Sequence, residues 1–484
     1  MLFFKFIQFH FFRFFYFIVF ILFLVLQGFV FSAEVDDLLL SKNMWDCQSF
    51  ALEHHSSIHL AQDELNLSEA RKQESFRTLF PSLNLKAEQT DGKADSTAGT
   101  PDFREQSYGL VLNQPIFQGG KVFYTYAQNR AQFESLYAKY EKTKLDVLFD
   151  VEESYWQWVR AYRVLQIYKN ALTDLEIIYQ QADSLYGKGI LTRQSYLIVL
   201  GQRQQGRIQL ESAEVDLEAR LWQWTAALGL DLPPGFRPKP LRFELSEKML
   251  SLVECLEQVG KKHPEIDLQE KTMQAAEYGL KAAKSYFLPR LDLNSTYGKS
   301  AAAFKTESLR FQEDWQVQVR VTVPLGWNSA NVSGIRQKTS PRLGQSSRTQ
   351  IETFTGTLSL LDSLKDRTQE REALFLMHQA NDQLHKIKVE VRNRVRQMYA
   401  DMKKAQLHWT MTENDFKLAQ TDFEVAKIKG NNQPLSLSEI MVARNKQAQA
   451  EVAWAEAQVQ FAIATAALNR AMGIQNLFSL KILE

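Results

Sequence analysis

The sequence predicts a mainly α-helical chain with a β contribution, in which a helix, strand, strand, long helical hairpin unit occurs twice. Three observations predict it. The phrase TLFPSLNLKAEQTDG, Thr78 to Gly92, returns as SYFLPRLDLNSTYG, Ser285 to Gly298, with Pro81 standing 208 positions before Pro289. Each copy opens a pair of segments in which apolar and polar residues alternate, the period of a strand with one apolar face. Each pair is followed by long proline-free runs with helical periodicity.

The chain opens with Lys5 and Arg13, then the uncharged apolar run Phe14 to Phe31 and small residues at Ser32 and Ala33. That is the pattern of a secretory signal over 1–33, with an uncleaved anchor as the alternative because the run nearly reaches the ~20 residues of a spanning helix. No Cys follows the run directly, which argues against a lipid-anchored N-terminus, and Cys47 and Cys255 read as packed thiols. The net charge of +1 becomes −1 when Lys5 and Arg13 leave with the signal, so no basic field exists to attract nucleic acid. With no second run of comparable apolarity, the chain is periplasmic, secreted or a β-barrel.

The clearest strand is Trp315 to Val323, WQVQVRVTV, where alternation holds without a break. Weaker copies set Leu83, Leu85 and Ala87 against Asn84, Lys86 and Glu88, and Tyr108, Leu110 and Leu112 against Gly109, Val111 and Asn113. A third sets Leu291, Leu293 and Ser295 against Asp292, Asn294 and Thr296. Strands are expected at about 82–90, 106–115, 290–298 and 315–323, close to the ~9–11 residues of a tilted strand crossing a bilayer. A soluble sheet packed on helices is the alternative. Pro115 and Pro324 are expected to close the second strand of each pair, because proline cannot donate to a ladder.

Helical hairpins are expected over about 121–228 and 370–472. In the first, Val151, Tyr155, Trp158, Tyr162 and Leu165 step by four and three, and a second stripe, Phe149, Trp156, Val164, Ile167, Ala171 and Ile178, lies on the opposite side. Such a helix needs neighbours on two sides, although Arg160 and Lys169 interrupt the stripes. Its ~65 residues would extend roughly 100 Å. Gly187 and Gly189 mark one hairpin tip and Gly430 the other. The halves become 34–231 and 248–484, joined by a linker at 232–247, with an insertion at about 339–367 that has no counterpart in the first half.

This order, with the FP and FLP helix exits, QPIFQGGKV at Gln114 to Val122, YGKGILTRQSYL at the first tip, and AALGL and NRAMGI at the hairpin ends, resembles the TolC-like outer membrane efflux protein family. The resemblance implies a homotrimer whose strands form a twelve-stranded transmembrane β-barrel joined to a long periplasmic α-helical barrel. It implies an outer membrane channel-tunnel in a tripartite export system, for efflux or type I secretion, serving an inner-membrane transporter through a periplasmic adaptor. The second strand exit, VPLGWNSANV, departs from the family phrase. Independently, four strands cannot close a barrel and open edges are not tolerated in lipid, so the chain must oligomerise; counting alone also allows two or four copies.

The resemblance carries two kinds of site. The tip glycines Gly187, Gly189 and Gly430 fall where the family docks an adaptor. Glu439 matches one of two carboxylates that line the family's aperture, with Val442 in place of the second and Ser195 where the family carries a latch carboxylate. No catalytic constellation is present, so no enzyme activity and no cofactor are expected. His55 and His59 stand one helical turn apart without a third ligand, and read as a solvated helix face. A periplasmic adaptor would share the helical hairpins but would not need paired strands of membrane length, and an adhesin or structural coiled coil would not need the internal duplication.

Overall fold

The computed structural model describes residues 44–93, 102–229, 242–244, 251–261, 263–304, 306–341, 347–362, 364–432, 437–475 and 481–483. The proposed signal at 1–33 lies outside the described residues, as does most of the linker at 232–247. The chain divides into two compact units, one of residues 1–61, 141–263 and 391–484 and the other of residues 62–140 and 264–390.

The second unit is organised by a six-stranded antiparallel sheet. Its strands are β1 (Ser82–Lys93), β2 (Asp102–Gln118), β4 (Arg290–Phe304), β5 (Gln312–Leu325), β6 (Asn328–Thr339) and β7 (Thr349–Ser359), in the order β1-β2-β4-β5-β6-β7. Pro81 and Pro289 immediately precede β1 and β4. The repeated phrase therefore marks the same junction twice. The register aligns Leu85, Leu110, Tyr297 and Trp315 in one row, and Leu83, Leu112, Ser295 and Val317 in the next. Paired residues of an antiparallel sheet share a face, so the alternating apolar positions of all four expected strands stand together.

Three expectations are corrected here. Six strands occupy the sheet, where four are expected from the sequence, because the segment at 339–367 is no featureless insertion: its middle is β7, which pairs with β6 from Ser329↔Ser359 to Thr339↔Thr349. Neither proline ends its strand. β5 continues through Pro324 to Leu325, and Pro115 lies beside a bulge before β2 resumes at Phe117. The odd exit phrase LGWN is a two-residue turn into β6 with Gly326 at φ +70°, instead of a path into a helix. The helix begins after β7, where Leu361 takes a positive φ and its N–H donates to Asn328 Oδ1 at 2.9 Å.

The first exit uses QGG differently. Gly119 and Gly120 take φ +61° and +83° before the long helix, and a Cβ on Gly119 would lie 2.9 Å from the Leu288 Cβ. The glycine phrase of one repeat is thus seated against the FLP phrase of the other.

The first unit is helical. Its elements include α1 (Met44–His54), α4 (Arg193–Leu228), α5 (Leu252–Lys261) and α8 (Leu437–Met472), and α2 (Ser56–Arg77) begins in it. The long helices α3 (Lys121–Gly187) and α7 (Leu364–Asn432) contribute to both units, and α6 (Pro264–Lys284) belongs to the second. Both stripes of α3 find cover: Val151, Tyr155 and Trp158 are buried on one side, and Trp156, Ile167, Ala171 and Ile178 on the other. Tyr155, Trp158 and Trp224 gather their rings 6.0 to 6.4 Å apart. Arg160, which breaks the stripe, bonds Asp216 at 3.0 Å. A two-stranded sheet absent from the sequence reading pairs β3 (Arg242–Glu244), inside the expected linker, with β8 (Lys481–Leu483) at the end of the chain. Cys47 and Cys255 are both buried.

Candidate functional site

The two hairpin tips meet in one apolar cluster. Leu175, Ile178, Ala182, Leu191 and Val199 from the α3–α4 hairpin pack with Leu437, Ile440 and Met441 from the start of α8. Phe423 and Ala426 of α7 lean on the same cluster. Burying these residues brings the Gly187–Gly189 turn close to the first turn of α8, which carries Glu439.

The first tip is a tight reversal. Gly189 stands at φ +74°, with no atom within 4 Å of where a Cβ would stand, so its glycine serves backbone conformation and not close packing. Thr192 caps α4 by accepting the Ser195 N–H at 3.2 Å, and its hydroxyl donates to Ser195 Oγ at 3.0 Å. Ser195 is therefore occupied in capping its own helix. Leu191 is only 5% exposed, whereas Ile190 is 53% exposed. The outward surface of the tip is therefore Gly187 to Ile190.

A polar layer missed in the sequence lies just behind this turn. Arg203 grips Glu176 through two hydrogen bonds of 2.6 Å, and its guanidinium lies 4.3 Å from the centre of the Tyr179 ring. Tyr196 donates to Asp183 at 3.0 Å, lies 3.3 Å from the Tyr179 hydroxyl and stacks on Tyr186 with ring centres 4.5 Å apart. Hydrogen bonding to Tyr179, then Asp183, pushes the Tyr196 hydroxyl pKa up, and the Arg203 hydrogen bond holds the Glu176 carboxyl below its usual range. A signal for these pairs does exist. Glu176 and Arg203, and Asp183 and Tyr196, stand nearly equidistant from Gly189, and residues equidistant from a helical turn face one another.

Glu439 lies exposed in the first turn of α8, while its neighbours Ile440 and Met441 turn into the cluster. A carboxylate there is favoured by the helix N-terminus. Val442, at the position of the absent second acid, is also exposed. Gly430 corrects the sequence reading: it lies inside α7, which runs on to Asn432, and α8 starts at Leu437, with residues 433–436 outside the described residues. Further along α8, Arg444 is buried and reaches Asp174 of α3 at 2.7 Å, and Asn445 donates to Gln202 Oε1 at 2.5 Å.

His55 has a local role at the junction of α1 and α2, where its Nδ1 accepts the Ser57 N–H at 3.2 Å, and His59 is exposed on α2. No group of three His, Cys, Asp or Glu side chains with metal-binding geometry occurs among the described residues.

Residues 49–230 match the family described as outer membrane efflux protein. The chain is 25% identical to the outer membrane protein OprJ of Pseudomonas aeruginosa over 300 residues, which is 58% of this chain and 61% of OprJ. That match spans less than two thirds of OprJ. Identity to the probable outer membrane lipoprotein SilC of Salmonella typhimurium is 23% over 340 residues, 66% of this chain and 71% of SilC. The solved outer membrane channel CmeC of Campylobacter jejuni shares the fold with a TM-score of 0.72 at 17% identity, over 90% of this chain and 87% of CmeC.

Proposed function

We propose, from the match of residues 49–230 to the outer membrane efflux proteins and the fold shared with their solved channels, that this chain is the outer membrane channel-tunnel of a tripartite export system. It conducts passively, as a homotrimer, what an inner-membrane transporter delivers through a periplasmic adaptor. The observation that carries this reading is the sheet register, which collects Leu83, Leu85, Leu110, Leu112, Leu291, Leu293 and the valines of β5 on one face and Asn84, Asn294, Gln318 and Arg320 on the other. An apolar outer face and a polar inner face are what a transmembrane barrel requires. The helical hairpins form the periplasmic portion, and the chain performs no catalysis.

The tips serve as the adaptor-docking end, with Gly187 and Gly189 shaping the first turn and Gly430, in the last turn of α7, standing at the second. Glu439, repeated once per copy, lines the entrance and favours cations over anions. In planar bilayers, Glu439→Gln is expected to lower cation selectivity and relieve block by divalent cations added on the side of the helices. Unchanged selectivity would remove Glu439 from the entrance. The mass of the detergent-solubilised complex tests assembly, and a stable monomer would overturn the channel reading itself.

A further inference from the structure

We propose that β6 and β7 are membrane-spanning staves of the barrel wall, so that each chain supplies six strands, β7 pairs with β1 of the next copy, and three copies close eighteen strands. The proposal rests on the trimeric channel reading and changes what the trimer builds.

The apolar face does not end at β5. Val323, Val321 and Val319 pair with Ala330, Val332 and Gly334 of β6, and these with Leu358, Gly356 and Phe354 of β7. The other face is mainly polar, with Asn331 and Ser333 on β6 and Thr353, Thr355 and Thr357 on β7, and with Ile335 and Ile351 as its apolar members. Phe354 is 82% exposed, and Leu85 on the opposite edge strand is 87% exposed. Both belong to the apolar face, and both stand on strands with a free edge in the sheet.

The decisive observation is where this apolar band stops on each strand, moving away from the helices. The outermost apolar residues are Ala87 and Tyr108, then Tyr297 and Trp315, then Gly334 and Phe354. The next residues on that face are Gln89, Gln106, Lys299, Glu313, Arg336 and Glu352. In the hydrogen-bonded rows, Tyr108 is opposite Lys299, two residues beyond Tyr297, and Trp315 is opposite Lys338, four residues beyond Gly334. The band therefore slides by six residues over the five steps from β1 to β7. That is about 4 Å of strand length for every ~4.8 Å between strands, a slope of about 40°. A level membrane band crossing strands tilted by ~35–45° leaves this mean slope, taken here in two steps, of two residues at β2–β4 and four at β5–β6. A hairpin lying outside the wall has no reason to continue the slope.

The geometry also limits what meets the edges. Free sheet edges are not tolerated in lipid, and the edge of β1 and the edge of β7 come from the same sheet, so copies related by rotation present one to the other. The occupant of each edge is a second copy of this chain. Eighteen strands fall within the even numbers known for outer membrane barrels.

The test uses the full chain with Cys47→Ser and Cys255→Ser. Thr355→Cys with Lys86→Cys places each thiol one residue inside the band limit, on the polar face of β7 and of β1. A short bis-thiol reagent is expected to link copies into dimers and trimers on denaturing gels. Gln316→Cys with Lys86→Cys is the contrast, at the same depth on β5, and is expected to give no inter-copy link. If the β5 pair links and the β7 pair does not, the trimer stands and the wall has twelve strands, which overturns the proposal. A fluorophore on Phe354→Cys should be quenched by lipid-borne quencher as strongly as one on Val319→Cys. Aqueous quenching alone at Phe354 would overturn the proposal even if neither thiol pair reacts, and a monomeric mass would overturn the channel reading beneath it.

Discussion

Arg444 leaves only 8% of its side chain exposed, and its guanidinium is satisfied by Asp174 Oδ2 at 2.7 Å and Gln447 Oε1 at 3.2 Å. Removing the acid strands a buried cation, whereas removing both charges strands nothing. Because Asp174 is itself half-exposed, Asp174→Ala is expected to cost ~1–2 kcal/mol, less than a fully buried pair would. Adding Arg444→Met should recover most of that loss, as read from thermal unfolding followed by helical circular dichroism. Equal losses in the single and double variants would refute the coupling. Glu152 makes the opposite kind of statement. Burial raises its pKa, against a hydrogen bond from Trp156 Nε1 at 3.4 Å. A carboxyl whose folded pKa exceeds its unfolded value opposes folding when ionised, so its stabilising contribution is complete below the unfolded value and lost as pH rises through the folded one. Glu152→Gln should therefore raise the melting temperature near pH 7.5, and the gain should vanish by about pH 4. A gain independent of pH would assign the effect to something other than ionisation.

At the scale of elements, glycines separate two demands that look alike in the sequence. Gly119 has a positive φ and no room for a Cβ, while Gly326 has a positive φ and open space around it. Asparagine tolerates the left-handed region but carries a Cβ. Gly326→Asn should therefore leave the yield of folded, membrane-inserted protein near that of the parent, and Gly119→Asn should lower it severalfold. Comparable yields would show that the seat against Leu288 is looser than it looks. The same scale explains what was legible. Pro81 and Pro289 exposed the duplication because each repeats at a junction, and Val317 to Val323 exposed β5 because valine fills every second place. β6 and β7 stayed hidden, since Ala330, Gly334 and Gly356 stand on the apolar face and threonines dilute the pattern. Gly430 misled for a related reason: one glycine costs a helix only ~1 kcal/mol, which the long α7 absorbs. Glu439 was singled out only through family resemblance, and the Glu176–Arg203 clamp required the hairpin to be folded before its two halves could be seen to meet.

For the whole molecule, the sheet faces make a sharper claim than composition could. Val319 and Gln318 are adjacent in sequence and opposite in surroundings, Val319 with Gly334 and Leu293, and Gln318 with Ile335 and Asn294. Val319→Arg places a charge against the hydrocarbon and should cost ~2–4 kcal/mol near mid-bilayer. Gln318→Arg should cost little. Refolding into lipid vesicles over a urea gradient measures both, and equal midpoints would mean that the faces are assigned backwards.

The row that joins Tyr108 to Lys299 sets a timetable as well as a register. Within each half, neighbouring strands are connected by short stretches of chain, and such hairpins close in microseconds. If the chain is exported as the proposed channel requires, the β2–β4 seam must wait until nearly two hundred further residues have crossed the inner membrane, and long-range closure of this kind is slow. In the proposed trimer, meeting another chain comes later still, at a rate set by how many copies are present. On that reading the two repeats emerge as separate, half-finished ribbons, each with a bare edge, and the periplasm must shelter the first for as long as the second takes to arrive.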